Sequence, residues 1–177
     1  MGKIGYQLGR IYEWDESVCL RLNHASHIRP VLWLFKAVSR LGNGIFWYSL
    51  MLALLLWQGL GALPGIVHML ATGAAGVVVY KWLKGRTSRP RPYQRNEEIV
   101  CAVAPLDQYS FPSGHTLHAV LFTVVALAYF PSLAWLLVAF TLLVSFSRVI
   151  LGLHYPSDVL AGGILGGLIA GCSLLWL

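Results

Sequence analysis

Five apolar stretches, residues 44–60, 63–84, 113–130, 132–148 and 156–177, fill most of the chain beyond residue 43 and leave few folds open to it. A run of about 20 apolar residues crosses a bilayer as an α-helix, because in lipid every backbone N–H and C=O must find its partner within the segment. Gly61 and Pro64 break the chain between the first two stretches, so these predict a transmembrane hairpin; Pro131 and Ser132 mark a second turn. The stretch at 44–60 reaches roughly 26 Å at about 1.5 Å per residue, slightly less than the ~30 Å hydrocarbon core. The segment ahead of it is therefore expected to lead into the membrane at a shallow angle. With 57% hydrophobic and 11% charged residues, the composition excludes an ordinary soluble domain. The expected fold is all-α, a multi-pass transmembrane helix bundle of about five spans.

The first 41 residues differ in pattern. Ile4, Leu8, Ile11, Val18 and Leu22 form an apolar stripe, with Lys3, Arg10, Glu13, Glu16 and Arg21 off it and Asp15 interrupting it. After a break at 23–30, Val31, Leu34, Phe35, Val38 and Leu41 make a second stripe opposite Lys36 and Arg40. Both segments read as interfacial amphipathic helices that pack on the bundle. The chain is thus expected to be one domain, 1–177, with interfacial helices at 1–41 and a transmembrane core at 44–177 that carries a polar loop, 85–113. The charged N-terminal segment has no short apolar core before a small-residue cleavage site, which argues against a removable signal peptide. Cys19, Cys101 and Cys172 show neither disulfide nor metal-ligand spacing.

The net charge of +6 would suggest nucleic acid as a partner in a soluble protein. Here all 13 Lys and Arg fall within 3–40, 81–95 and at Arg148, at membrane edges, so the expected partners are the bilayer and a lipid phosphate, not nucleic acid. Counting crossings brings the end of the second span, the start of the third, the end of the fourth and the start of the fifth to one surface. Lys84, Arg91, Ser113, Gly114, His115, Arg148, His154 and Asp158 converge there from four helix ends. Charged groups at membrane depth are costly and point to function.

Their chemistry suits phosphoryl transfer. Pro156 starts a helix and places Asp158 in its first turn, where the carboxylate can fold back onto His154, four residues earlier, and leave the other ring nitrogen free to attack. Ser113-Gly114-His115 reads as a turn into a helix whose first N–H groups point outward as an anion site. Lys84, Arg91 and Arg148 would neutralise phosphoryl charge, and His115 supplies a second imidazole for the leaving oxygen. His68 and His118 are expected to pack, and Arg86 and Arg89 to be solvated or to touch headgroups.

Lys84 with Arg91-Pro92 after six residues, Pro112-Ser113-Gly114-His115, and Ser147-Arg148 with His154 and Asp158 beyond resemble the three-part signature of the phosphatidic acid phosphatase type 2 superfamily. The order and internal spacings match throughout residues 84–158. The resemblance implies a phosphatase that needs no metal or cofactor and passes through a phosphohistidine. His154 would be the nucleophile, Asp158 its orienting group and His115 the acid, with Lys84, Arg91, Ser113, Gly114 and Arg148 binding phosphate. Likeness to small bacterial members implies undecaprenyl diphosphate as substrate; phosphatidylglycerophosphate, phosphatidate or lipid A phosphates, a phosphotransferase, or a lipid-phosphate binder or transporter are the alternatives. It also implies the bacterial inner membrane. For the side, the positive-inside rule favours the cytoplasm, but several of these charges are needed to bind phosphate, and the family role favours the periplasmic face.

Overall fold

The computed structural model describes residues 3–175, with side chains described from residue 11 onward. The predicted stripe positions Ile4 and Leu8 and the off-stripe Lys3 and Arg10 lie outside the described side chains, and the last two residues of the fifth apolar stretch lie outside the described residues. The chain forms α1 (Lys3–Asn23), α2 (Arg29–Arg40), α3 (Phe46–Gln58), α4 (Leu63–Thr87), a single turn α5 (Pro92–Arg95), α6 (Gly114–Tyr129), α7 (Ala134–Ile150) and α8 (Pro156–Leu174). The five apolar stretches become α3, α4, α6, α7 and α8, so the all-α membrane bundle expected from the sequence is the fold.

Helix boundaries follow local chemistry. Pro64 and Pro156 sit in the first turns of α4 and α8, where a missing N–H costs nothing. The Ser113 hydroxyl accepts from the Thr116 N–H at the start of α6. Between α2 and α3 the chain does not stop: a π-helical turn, Leu41–Ile45, joins them, with Gly44 at φ 115°, a conformation that a Cβ would oppose. This kink turns the short amphipathic α2 into the first span.

The central helix is α6, which packs against α4, α7 and α8. A Cβ on Gly162 or Gly166 of α8 would collide with the carbonyl oxygens of Ser113 and Leu117, so these two glycines set the close approach of α8 to α6. Around α6, Trp47, Met69, Leu121, Val125, Leu137 and Val144 are buried, and Phe46 stacks on Phe140. The outside is equally apolar: Leu56, Trp57, Leu60, Trp135 and Ile164 are exposed, as lipid-facing residues must be. Away from the charged end, His68 is hydrogen-bonded to Tyr129 Oη at 3.0 Å and to Ser173 Oγ at 2.8 Å, a packing role as expected.

α1 packs on α7 and α8 and buries polar groups there. Asn23 at its end donates to the carbonyls of Val100 (3.0 Å) and Ile150 (2.9 Å) and accepts from the Val100 N–H. The long loop between α5 and α6 is thereby tied to the end of α7, directly beside the converging helix ends.

Candidate active site

The floor is the joint between α7 and α8. The Arg148 carbonyl accepts from the N–H groups of both Leu153 and His154, which folds the joint back under α7 and buries the His154 ring. Asp158 Oδ2 accepts from the Tyr155 N–H at 2.8 Å, the reach-back half of a capping box. The same oxygen accepts from Ser110 Oγ, and Oδ1 pairs with Arg89 at 2.6 Å. His154 Nδ1 stands 3.7 Å from Asp158 Oδ2, too far for a direct hydrogen bond, and has no other partner. The carboxylate therefore faces the predicted ring nitrogen without holding it.

The loop supplies the next wall. Arg91, almost wholly buried, donates to the Leu153 carbonyl at 2.7 Å, and its Nη1 lies 3.5 Å from His154 Nε2. Lys84 and Arg91 both pair with Asp107 Oδ1, at 2.6 and 2.8 Å. Burial favours the neutral Asp107 carboxyl, but the Lys84 hydrogen bond and charge and the Arg91 charge outweigh it, and its pKa is lowered. The two cations are thus held in place by a loop carboxylate that the sequence reading did not assign.

At the start of α6, Gly114 lies close to the Tyr80 ring, and His115 Nε2–H donates to Asn43 Oδ1 from the π-helical kink. His118 contacts the carbonyls of Gly114 and Gly73 between α6 and α4 and also lines the cavity beside His115. Arg148, buried, donates to Ser39 Oγ of α2 at 2.6 Å, while its Nε has no partner.

These groups enclose a cavity of about 590 Å³. Lys84, Arg91, Gly114, His115, Arg148 and His154 line its charged end; Trp47, Tyr48, Leu70, Val77 and Phe122 line its apolar part between α3 and α4. Of the eight predicted site residues, Ser113 and Asp158 are not at the cavity surface. Ser113 is buried as the cap of α6, its hydroxyl bonded to Thr116 Oγ1, and Asp158 lies behind His154. Among the described residues no three His, Cys, Asp or Glu side chains are grouped to hold a metal ion.

Burial pushes the pKa of His154 down to about 4; Asp158 opposes this, and the charges of Arg148 and Arg91 add to it. The ring is therefore neutral near pH 7, the state a nucleophile needs. The arrangement can bind a tetrahedral dianion between fixed cations, with one imidazole on its floor and a second on its flank.

Arg89 departs from expectation. Its guanidinium is not solvated but bridges two buried carboxylates, Asp158 and Asp15 of α1 (2.7 Å), donates to Ser157 Oγ and lies over the Tyr155 ring. Asp15 also accepts from the Ser157 N–H at 2.9 Å. The signal was present in the sequence: a carboxylate on an apolar stripe is buried and needs a cation. Arg86 is exposed beside Trp82, as expected. Helix α2 and the π-helical turn after it also do more than pack, since Ser39 meets Arg148 and Asn43 meets His115.

The chain resembles known proteins in sequence and in fold. The PAP2 superfamily profile matches residues 65–177. The undecaprenyl-diphosphatase BcrC of Bacillus subtilis is 31% identical over 122 residues, 69% of this chain and 62% of that protein, so the chain spans under two thirds of its length. An undecaprenyl-diphosphatase of Sulfolobus acidocaldarius is 30% identical over 152 residues, 85% of this chain and 72% of its own. Among solved structures, the PAP2-type phosphatidylglycerolphosphate phosphatase from Bacillus subtilis superposes with a TM-score of 0.71 at 24% identity, covering 94% of this chain and 86% of that one.

Proposed function

The chain belongs to the PAP2 superfamily, and on that premise we propose that it is a metal-independent membrane phosphatase that hydrolyses a lipid diphosphate, undecaprenyl diphosphate foremost. The observation that carries the reading is the two-part cavity, cationic at the helix ends and apolar between α3 and α4, which fits a phosphate joined to a long hydrocarbon. The names of the two relatives support the diphosphate.

In the proposed reaction, Lys84, Arg91, Arg148 and the Gly114 N–H hold the phosphoryl oxygens, and Ser113 keeps that N–H in place by capping α6. His154 Nε2 attacks the terminal phosphorus in line; an N–P bond forms as the P–O bond to the leaving lipid breaks. His115, as the imidazolium that a bound phosphate dianion favours, gives its Nε2 proton to the departing oxygen and, now neutral, takes one from the water that hydrolyses the phosphohistidine. Asp158 behind Nδ1 stabilises the positive charge that grows on the His154 ring.

Purified protein offered undecaprenyl diphosphate, phosphatidylglycerophosphate, phosphatidate and lipid A should release inorganic phosphate, fastest from the diphosphate. Release from none overturns the activity, and a faster monoester overturns the substrate.

The same reading places the protein in the bacterial inner membrane with the site on the periplasmic face. Lys84, Arg89, Arg91 and Arg148 are all engaged in the site's own pairs, which weakens them as topology signals. Cys101 is exposed on the loop at that end, whereas Cys19 is buried. In a Cys19→Ser, Cys172→Ser variant, a membrane-impermeant thiol reagent should label Cys101 in intact spheroplasts. Labelling only after lysis puts the site in the cytoplasm.

A further inference from the structure

A second cavity, of about 410 Å³, adjoins the first. The two share Asn43, Leu106 and Arg148 as a common wall. Beyond that wall the second cavity is lined by Trp33, Lys36, Ser39 and Arg40 of α2 and by the loop at Val103 and Ala104; no carboxylate lines it. Lys36 and Arg40 are four residues apart and so project from one face of α2. Arg148 is the deepest group of the wall: it is 3% exposed, its Nη1 is tied to Ser39, and its Nε–H has no acceptor. With Lys36 and Arg40 on its other sides, Arg148 makes this a cavity lined by three cations and by no counter-ion, a lining whose chemistry suits an oxyanion.

We propose that this second cavity, at the Asn43 edge where it meets the first, is an anion subsite for the non-reacting phosphate of a diphosphate substrate, whose hydrocarbon then runs back past Trp47 and Tyr48 into the apolar part of the first cavity. The inference rests on the phosphatase reading above and extends it to how the site distinguishes one phosphate from two. The position of the acid supports it. His115 donates to Asn43, and Asn43 belongs to both cavities, so the group that protonates the leaving oxygen stands at their junction. When His154 attacks the terminal phosphorus, the bridging P–O bond breaks there. Its electron pair and the His115 proton go to the lipid monophosphate, whose charge then faces Lys36, Arg40 and Arg148. The guanidinium of Arg148, with its planar fork of donors, can serve both phosphates at once. A monophosphate ester would leave Lys36 and Arg40 without an anion, so these two residues would raise the rate only for the diphosphate.

The test compares wild type with Lys36→Gln, Arg40→Gln and the double variant, using Arg29→Gln, an exposed cation of the same helix outside both cavities, as control. Two readouts are taken: the ratio of kcat/KM for undecaprenyl diphosphate over undecaprenyl phosphate, and the ratio of Kd for orthophosphate over inorganic pyrophosphate. The double variant should lower both ratios by about tenfold or more, as loss of charge-assisted hydrogen bonds would, and Arg29→Gln should leave both at the wild-type value. Equal losses on both substrates, or none, overturn the subsite and reduce Lys36 and Arg40 to surface charge. If wild type releases phosphate from neither lipid, the phosphatase reading falls by itself. The pyrophosphate ratio then still decides the subsite: selectivity that vanishes in the double variant upholds it, and selectivity that persists removes it.

Discussion

Replacing Arg89 by methionine keeps the unbranched stem of the side chain and removes the charged head that joins α1 to the floor of the candidate site. In the native protein its two Nη atoms reach Asp158 at 2.6 Å, Asp15 at 2.7 Å and Ser157 at 2.8 Å. Both carboxylates are fully buried and Arg89 itself is 12% exposed, so solvent screens little of this. Two effects compete on substitution. The variant recovers the desolvation cost of the guanidinium, but strands two carboxylates in a medium that stabilises neither. Breaking a buried pair from one side costs about 3–5 kcal/mol, and the stranded charge dominates that figure. The loss is therefore expected to be near the upper end, although Tyr155 N–H, Ser110 and Ser157 still donate to the carboxylates. Asp15→Asn introduced into Arg89→Met should recover part of the loss, because it removes one stranded charge, whereas Asp15→Asn alone should destabilise. That reversal of sign is a coupling that additive surface effects do not produce. Unfolding in detergent, followed by near-UV signal against temperature, reads the stability, with Arg86→Met as the exposed control expected within about 0.5 kcal/mol of wild type. The reasoning fails if Arg89→Met is no worse than Arg86→Met, or if Asp15→Asn adds to its loss.

Three further outcomes are expected. His154→Ala should abolish phosphate release in a protein that still unfolds cooperatively, with a midpoint lowered by the cavity the buried ring leaves, and Asp158→Asn should be milder on turnover because it alters the charge behind the proposed nucleophile and not the nucleophile; substantial turnover in His154→Ala would sink the mechanism. EDTA should leave the rate unchanged and orthovanadate, which can take up a trigonal bipyramid on His154 Nε2, should inhibit; activity lost in EDTA and restored by Mg²⁺ would count against the mechanism. For pH, the folded pKa of His154, about 4, lies below its ordinary 6.5, so its contribution to stability is complete above 6.5 and is lost as pH falls towards 4. In the free enzyme the acid limb of kcat/KM should accordingly lie well below 6.5, and a limb near 6.5 would contradict the burial of the ring.

The parts of the site that were legible in the sequence are those that lie at helix ends. A span must terminate at the membrane surface, so Lys84, Gly114, Arg148 and His154 could be placed on one side by counting crossings alone, and they line one cavity. The less legible groups act across long sequence separations. Asp15 meets Arg89 across 74 positions and Asn43 meets His115 across 72, and no helical or strand period links such pairs. Local pattern pointed the wrong way for Arg89, because a cation in a polar loop at a membrane edge reads as solvated. Asn43, flanked by Gly42 and Gly44, was an interruption whose use depends on a kink that periodicity does not anticipate.

Those hidden contacts change what the N-terminal helices do. The proposed dianion site, made from Lys84, Arg91 and Arg148, brings like charges together in a region of low dielectric, which destabilises the fold unless other groups offset it. Asp107 offsets the first two, and Ser39 of α2 gives Arg148 a neutral acceptor. Asp158 has a related problem, since a buried carboxylate beside a neutral imidazole needs donors, and it takes them from Ser110, Tyr155 N–H and Arg89. Arg89 in turn is balanced by Asp15 of α1. Each charge that the chemistry needs is thus matched one step farther out, and the steps end in α1, α2 and the loop rather than in the five spans. A truncation that kept α3 to α8 would retain His115 and His154 on their helices but leave Arg89 short of one carboxylate and Arg148 without its acceptor. The spans place the proposed catalytic groups, and the N-terminal helices make their charges tolerable.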